Sequence, residues 1–278
     1  MSRHLYTWAR PALACMLMLL QSSALAELIL TAPPRESLSQ GEAIYGPIAK
    51  HFSRVTGQNV SYVHPDNWLN YQQQMRKGKY DIVFDGPHFM SWRMANLNHS
   101  PLAKLEGQLR FILISKTDQT DINDIGDLVG RKICGLPPPN LATLTMFAEF
   151  QNPVRQPIFV GIRGGFGQVY RAFQEGQCDA AVFRDSFYKG KISEPDKKAV
   201  KIIFTSNPLP NQGFTVDANK LPAAMQRDIM QSLLSDAGIE ATRPLLQRFA
   251  KNTHSLLPAS ESEYTGHNRY IEGVIFGW

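Results

Sequence analysis

The stretch KICGLPPPNLATLTMF, from Lys132 to Phe147, restricts the fold more than any other part of the chain. It reads as a short apolar run (Ile133 to Leu136), a three-proline turn, and a segment with Leu141, Leu144 and Ala148 on one helical face. Apolar residues at that spacing mark a helix packed on one side. A buried strand feeding a rigid turn and then a helix is the working unit of an α/β layer. Asn140 falls at the N-cap position, where a side-chain oxygen accepts a backbone N–H. The helix start then presents the N–H groups of Leu141, Ala142 and Thr143, and the Thr143 hydroxyl, at the positive end of the helix dipole. That arrangement suits an anion. It equally suits the cap of a purely structural helix.

The same unit recurs on both sides. Leu28 to Thr31 is an apolar run, and APPRESLSQGEAIYGP reads as a turn-rich stretch bringing Arg35, Glu36 and Tyr45 to a strand end. A helix with Ile44, Ile48 and Phe52 follows, closed by Gly57. Asn59 to Val63 alternates as a strand, and Trp68, Tyr71, Gln72 and Met75 line a second helix. Tyr80 to Phe84 is a strand that ends in Asp85-Gly86-Pro87-His88. Ligands of open α/β sheets bind outside the carboxyl ends of strands, which makes Asp85, His88 and Phe89 candidate pocket residues. Asp85 as a helix cap and His88 as a surface residue is the competing reading, and Trp92 and Arg93 either line the pocket or pack.

Further on, Gln108 to Ser115 suits a central strand that carries the chain between lobes. Pro157 to Gly161, Cys178 to Phe183 and Val200 to Thr205 suit further strands, and Asn211 to Val216 suits a return to the first lobe. Leu221 to Leu234 and Ile239 to Phe249 have helical periodicity. Arg184, at the end of a strand, is the basic residue best placed to meet an anion, since a guanidinium fork matches oxyanion geometry. An ion pair with Asp185 is the alternative. The repeated strand–helix order, with late helices returning, predicts an α/β protein of two lobes, each a mixed, mostly parallel sheet flanked by helices.

Residues 1 to 26 have a basic start (Arg3, Arg10), an apolar run from Pro11 to Leu20, and an Ala24-Leu25-Ala26 ending. This is the pattern of a cleaved signal peptide, with Glu27 as the mature start and the periplasm as the destination. The remaining boundaries fall at 27–112 for the first part of lobe 1, 113–206 for lobe 2, and 207–278 for the return. The chain carries 29 basic and 24 acidic residues, a formal net charge of +5, with no dense Lys/Arg run, which argues against nucleic acid.

After cleavage only Cys134 and Cys178 remain. In an oxidising compartment they form one disulfide or stay as two buried thiols. No C-x-x-C spacing is present, the histidines are scattered, and Gly161, Gly164, Gly165 and Gly167 do not follow a phosphate-loop order. No metal, cofactor or catalytic constellation is expected, and the protein is not read as an enzyme; a hydrolase using paired carboxylates is the reading that the sequence leaves standing beside this one.

Several short pieces together resemble one family. They are Tyr45-Gly46-Pro47, Thr56-Gly57-x-x-Val60, Gly78-x-Tyr80-Asp81, Gly86-Pro87, Asp127-Leu128-x-Gly130-Arg131-Lys132, and Gly176-x-Cys178-Asp179-Ala180-Ala181. In order and spacing, across roughly Leu28 to Ser206, the chain resembles the periplasmic substrate-binding proteins of phosphate/phosphite/phosphonate ABC importers. The resemblance implies the type II periplasmic-binding fold and a monomeric clamp for a small anionic ligand, handed to an ABC permease. A clamp that reports to a membrane signalling protein is the alternative. The resemblance implies that the helix start at Asn140-Leu141-Ala142-Thr143 holds the anion, together with side chains of the facing lobe such as Tyr45 and His88; Asp85, Phe89 and Arg184 complete the set of candidate ligand residues. This chain departs from the family pattern in keeping only the Thr143 hydroxyl there, in having Gly164-Gly165-Phe166 where the family has Gly-Ser-His, and in Phe89 where Tyr is usual. On this frame Cys134 and Cys178 lie on neighbouring strands of the second lobe, which favours the disulfide.

Overall fold

The computed structural model describes residues 27–272. The expected signal peptide lies outside the described residues. Among the described residues no helix is long and apolar enough to cross a membrane.

Two sheets form the frame. The first has six strands, in spatial order Leu257–Pro258, His99–Lys104, Gly213–Asp217, Ile82–Asp85, Leu28–Thr31 and Val60–Tyr62. The second has five, in the order Val200–Thr205, Phe111–Lys116, Ala180–Arg184, Lys132–Gly135 and Ile158–Gly161. Leu30, Ile82, Val83 and Phe84 in the first sheet, and Ile133, Ala181 and Phe183 in the second, are buried, as strands covered by helices on both faces must be.

Parallel pairing joins Leu28–Thr31 to its two neighbours and Lys132–Gly135 to its two neighbours. The remaining pairs in both sheets are antiparallel, a more even balance than the mostly parallel sheets expected. The cause is the crossovers. Phe111–Lys116 and Gly213–Asp217 each enter a sheet from the other lobe, at the edge where the parallel strands end, and so run against them. The crossing segments pair with each other as a short antiparallel ribbon, Leu209 opposite Leu109 and Pro210 opposite Gln108. The single strand expected over Gln108–Ser115 is therefore two strands, one in the ribbon and one in the second sheet.

Local chemistry explains the other departures from the sequence reading. Residues 38–47, read as turn, form the first turns of a 19-residue helix, Leu38–Thr56, which contains Pro47. A capping box at Ser37 starts it: Ser37 Oγ accepts from Gln40 N at 3.4 Å, and Gln40 Oε1 accepts from Ser37 N at 3.2 Å. That box outweighs two glycines and a proline. Gly57, at φ 68°, closes the helix in the left-handed region that glycine adopts without strain. The strand His99–Lys104 has no alternating pattern. Pro101 lies opposite Thr215 beside a register shift, where a missing N–H is tolerated.

A third connection joins the lobes. The short helix Arg269–Glu272 packs against both Pro87–Leu97 of the first lobe and Leu141–Phe147 of the second. Tyr270 belongs to the second lobe's apolar core with Leu141, Leu144 and Leu209. Its neighbour Ile271 belongs to a first-lobe cluster with Tyr71, Val83 and Phe89.

Candidate functional site

The parallel strands of both lobes end on the side where the lobes meet. In the first lobe, Thr31 leads through Ala32, Pro33 and Pro34 to Arg35, whose N–H donates to Pro33 O at 2.7 Å. The guanidinium turns inward. Nη1 donates to Gln212 Oε1 at 2.7 Å, and the group stands 5.1 Å from the centroid of the Phe249 ring. Nε and Nη2 are buried, and no described group hydrogen-bonds to them. Burial opposes the charge, yet Tyr45, Asp85 and Glu36 around it hold the Arg35 pKa above its ordinary value. The result is a fixed buried cation with two donors aimed at no protein group.

Tyr45 comes from the second turn of the Leu38–Thr56 helix. Its ring stacks on Tyr62 (centroids 5.1 Å apart) and leans on Phe84 (6.1 Å). Its hydroxyl is buried without a partner among the described residues. Burial pushes its pKa up against the pull of Arg35, so it stays an O–H donor.

Asp85 is differently employed. Its Oδ1 accepts from Gly86 N at 2.7 Å, and its Oδ2 accepts from the Tyr71 hydroxyl and from Arg93 Nη1, the latter at 3.1 Å. Arg93 Nε continues to Thr215 Oγ1 at 3.1 Å. Both charged side chains are 1% exposed. Burial raises the Asp85 pKa, and Arg93 and Arg35 oppose the rise. This network braces the floor of the site; its carboxylate is committed to protein donors. Phe89 is likewise packed, against Trp68 and Tyr71.

His88 reaches across. Its Nε2 meets Pro139 O of the facing lobe at 3.2 Å, and its Nδ1 is buried without a partner among the described residues. Burial, with the charges of Arg35 and Arg93, lowers its pKa to about 3, so the ring is neutral.

The second lobe closes over this floor with the Leu136–Thr143 turn and Arg184. Asn140 caps the helix as expected, its Oδ1 accepting from Ala142 N at 3.0 Å. The Thr143 hydroxyl, however, donates to Leu136 O at 2.6 Å and is fully buried. Two of the four donors that the sequence assigned to an anion here, Ala142 N–H and the Thr143 hydroxyl, are therefore used internally, and the helix has only seven residues. Arg184 does not pair with Asp185, which binds Lys189 at 2.9 Å instead. Its Nε has no partner among the described residues, and burial lowers its pKa. Cys134 and Cys178 are joined, Cα to Cα 5.7 Å, which ties the strand Lys132–Gly135 to the segment leading into its neighbour, the central strand Ala180–Arg184.

Beside Arg35, the Glu36 carboxylate lies 3.2 Å from Arg248 Nε and is almost fully buried. It lines an open cavity of about 610 Å³ with His64, Asp66 and Trp68. No cluster of three or more His, Cys, Asp or Glu suited to a metal occurs among the described residues.

The sequence reading brought Arg35 to a strand end but gave it no role, and it left Arg93 between lining and packing. The signal for Arg35 was present: an arginine four residues past a buried strand, behind two prolines that fix the chain's exit. Arg93 has no such local mark, since its partner Asp85 is eight residues away on another element.

A family comparison matches residues 30–264 to the periplasmic substrate-binding proteins of phosphonate ABC transporters. The chain belongs to this family. Its members are substrate-binding, non-catalytic components of transporters. The chain is 23% identical over 216 residues to the phosphate-import protein PhnD of Mycolicibacterium smegmatis; the match covers 68% of this chain and 66% of that relative, just under two thirds of its length. Among solved structures, XAC2383 from Xanthomonas citri bound to ATP aligns with a TM-score of 0.69 at 12% identity, over 89% of this chain and 97% of the other. PhnD1 from Prochlorococcus marinus in complex with methylphosphonate aligns at 0.62 and 11%, over 89% and 99%. At these identities the structural likeness establishes the fold, that of type II periplasmic binding proteins.

Proposed function

We propose that this protein is an exported solute receptor of an ABC importer that closes its two lobes on a small tetrahedral oxyanion, a phosphate or phosphonate. The observation that carries this reading is the buried Arg35 guanidinium, with Nε and Nη2 unpartnered beside the unpartnered Tyr45 hydroxyl at the strand ends of the first lobe. A guanidinium fork is matched to such an anion, and charge-assisted hydrogen bonds to it are short and strong. Arg184 and the Asn140–Thr143 turn close from the facing lobe, with Leu141 N–H and the helix dipole in support. Tyr45 and Arg35 hold the ligand, and Asp85 and Phe89 hold the floor. The relatives' names support the ligand class: one is a phosphate-import protein, and another is held with methylphosphonate.

A thermal-shift screen of the purified protein with phosphate, phosphite, methylphosphonate and sulfate tests it. A ligand at 100 times its Kd stabilises the native state by about 2.7 kcal/mol, which is readily visible. The expected result is a shift with at least one phosphorus oxyanion that disappears in Arg35→Ala. Oxyanion binding that survives in Arg35→Ala would place the ligand elsewhere.

A further inference from the structure

The unpartnered polar atoms of the cleft differ in kind. Arg35 Nε, Arg35 Nη2 and the Tyr45 hydroxyl are donors. His88 Nδ1 is an acceptor, and the geometry fixes this. A carbonyl oxygen can only accept, so the 3.2 Å contact with Pro139 O puts the ring proton on Nε2. Nδ1 then keeps its lone pair. The residue is 4% exposed, and no described group donates to that nitrogen. Burial and the charges of Arg35, Arg93 and His267 exclude a second ring proton near neutral pH. Gly86 lies against the same edge of the ring, where a Cβ would crowd it, at 3.0 Å from Nδ1 and 2.8 Å from Cε1. Pro139 belongs to the opposite lobe, so the tautomer is fixed where the two lobes touch.

We propose that His88 is a specificity-determining residue of the oxyanion site, its Nδ1 accepting a hydrogen bond from a proton carried by the ligand. The protein then selects singly protonated oxyanions with a P–OH group over sulfate, which carries no proton at neutral pH. An oxyanion without that proton would set its own lone pairs against Nδ1 and leave a buried acceptor unpaired. Sites built around a ligand hydroxyl reject analogues that lack it by orders of magnitude. This inference rests on the oxyanion reading given above.

Calorimetric titration of the protein at pH 7 with inorganic phosphate and with sulfate tests both and keeps them apart. The expected preference for phosphate is on the order of 100-fold or more. In His88→Phe, which removes the acceptor and keeps a ring, the preference should fall below about tenfold, through weaker phosphate binding. Equal affinities in the unaltered protein, or an unchanged preference in folded His88→Phe, would overturn the role of His88 while leaving the oxyanion site intact. Binding of none of phosphate, phosphite, methylphosphonate and sulfate would overturn the oxyanion reading, and this inference with it. A measurement that needs no variant is the ¹⁵N spectrum of labelled histidines. Phosphate should shift the unprotonated Nδ1 of His88, and saturation without a shift would overturn the proposal.

Discussion

The two faces of the cleft handle their polar groups in opposite ways. The first lobe leaves Arg35, Tyr45 and His88 buried with atoms that no described protein group satisfies. In the second lobe, the segment from Leu136 to Thr145 satisfies itself: Asn140 takes Ala142 N–H, Thr143 gives to Leu136 O, and Thr145 gives to Ala142 O. A disulfide reinforces that side. An unsatisfied buried polar group costs about 1–3 kcal/mol, so such groups persist where something else needs them. The contrast assigns recognition chemistry to the first lobe and a stiff, self-contained cover to the second, to which Arg184 adds a cation whose buried Nε has no partner among the described residues.

The largest effect expected on this picture is on stability. Arg93→Met leaves the Asp85 carboxyl buried without its cation and should cost about 3–5 kcal/mol in urea unfolding. A loss below about 1 kcal/mol would mean that the floor of the first lobe is not braced by this pair. Next comes Arg35→Ala, which should weaken oxyanion binding by about 2–5 kcal/mol in calorimetry, the cost of truncating a buried charged contact. Loss of binding on altering the second lobe alone would break the division between the faces.

Reduction of the Cys134–Cys178 bond, which spans 44 positions, should destabilise the protein by about 2–4 kcal/mol with little change in ligand affinity. Thiol counting on denatured, unreduced protein should find none free; two free thiols would remove this support from the cover. The pH dependence follows from His88 and His99, both lowered by burial from 6.5 to about 3. Above pH 6.5 each is neutral folded or unfolded. Below it the unfolded chain binds protons that the folded one refuses. Stability should therefore fall as the pH drops from 6.5 towards 3, by up to about 1.4 kcal/mol per pH unit for each histidine. His99→Gln, if folded, should flatten that slope. The smallest effect is expected from Thr143→Val: about 1 kcal/mol of stability and no change in affinity. A large loss of affinity would return the anion to the helix start.

The sequence made the architecture legible because strand, turn and helix signals are local. Val200–Thr205 and Leu28–Thr31 appear where their apolar runs lie, and Gly57 and Gly176 close the helices before them. The strand His99–Lys104 was illegible because its burial comes from partners more than a hundred residues away, not from its own pattern. The site divides in the same way. Asn140 as a cap follows from its position. That Thr143 would spend its hydroxyl on Leu136 does not, because the choice between ligand and carbonyl depends on how tightly the three-proline turn folds back. Nor does the commitment of Asp85 to Arg93 and Tyr71, which needs two helices to meet over one strand end.

Tyr270 and Ile271 are adjacent in the chain yet anchored in different lobes. Consecutive Cα atoms are about 3.8 Å apart, so the lobes cannot separate at this point without withdrawing a side chain from its core, at about 1.5–3 kcal/mol. The molecule accordingly behaves as a lever with a fixed fulcrum. Relative motion that keeps both side chains seated is rotation about the line from this peptide to the crossing ribbon, with displacement growing with distance from that line. An opening made by that rotation is widest at the rim farthest from Tyr270.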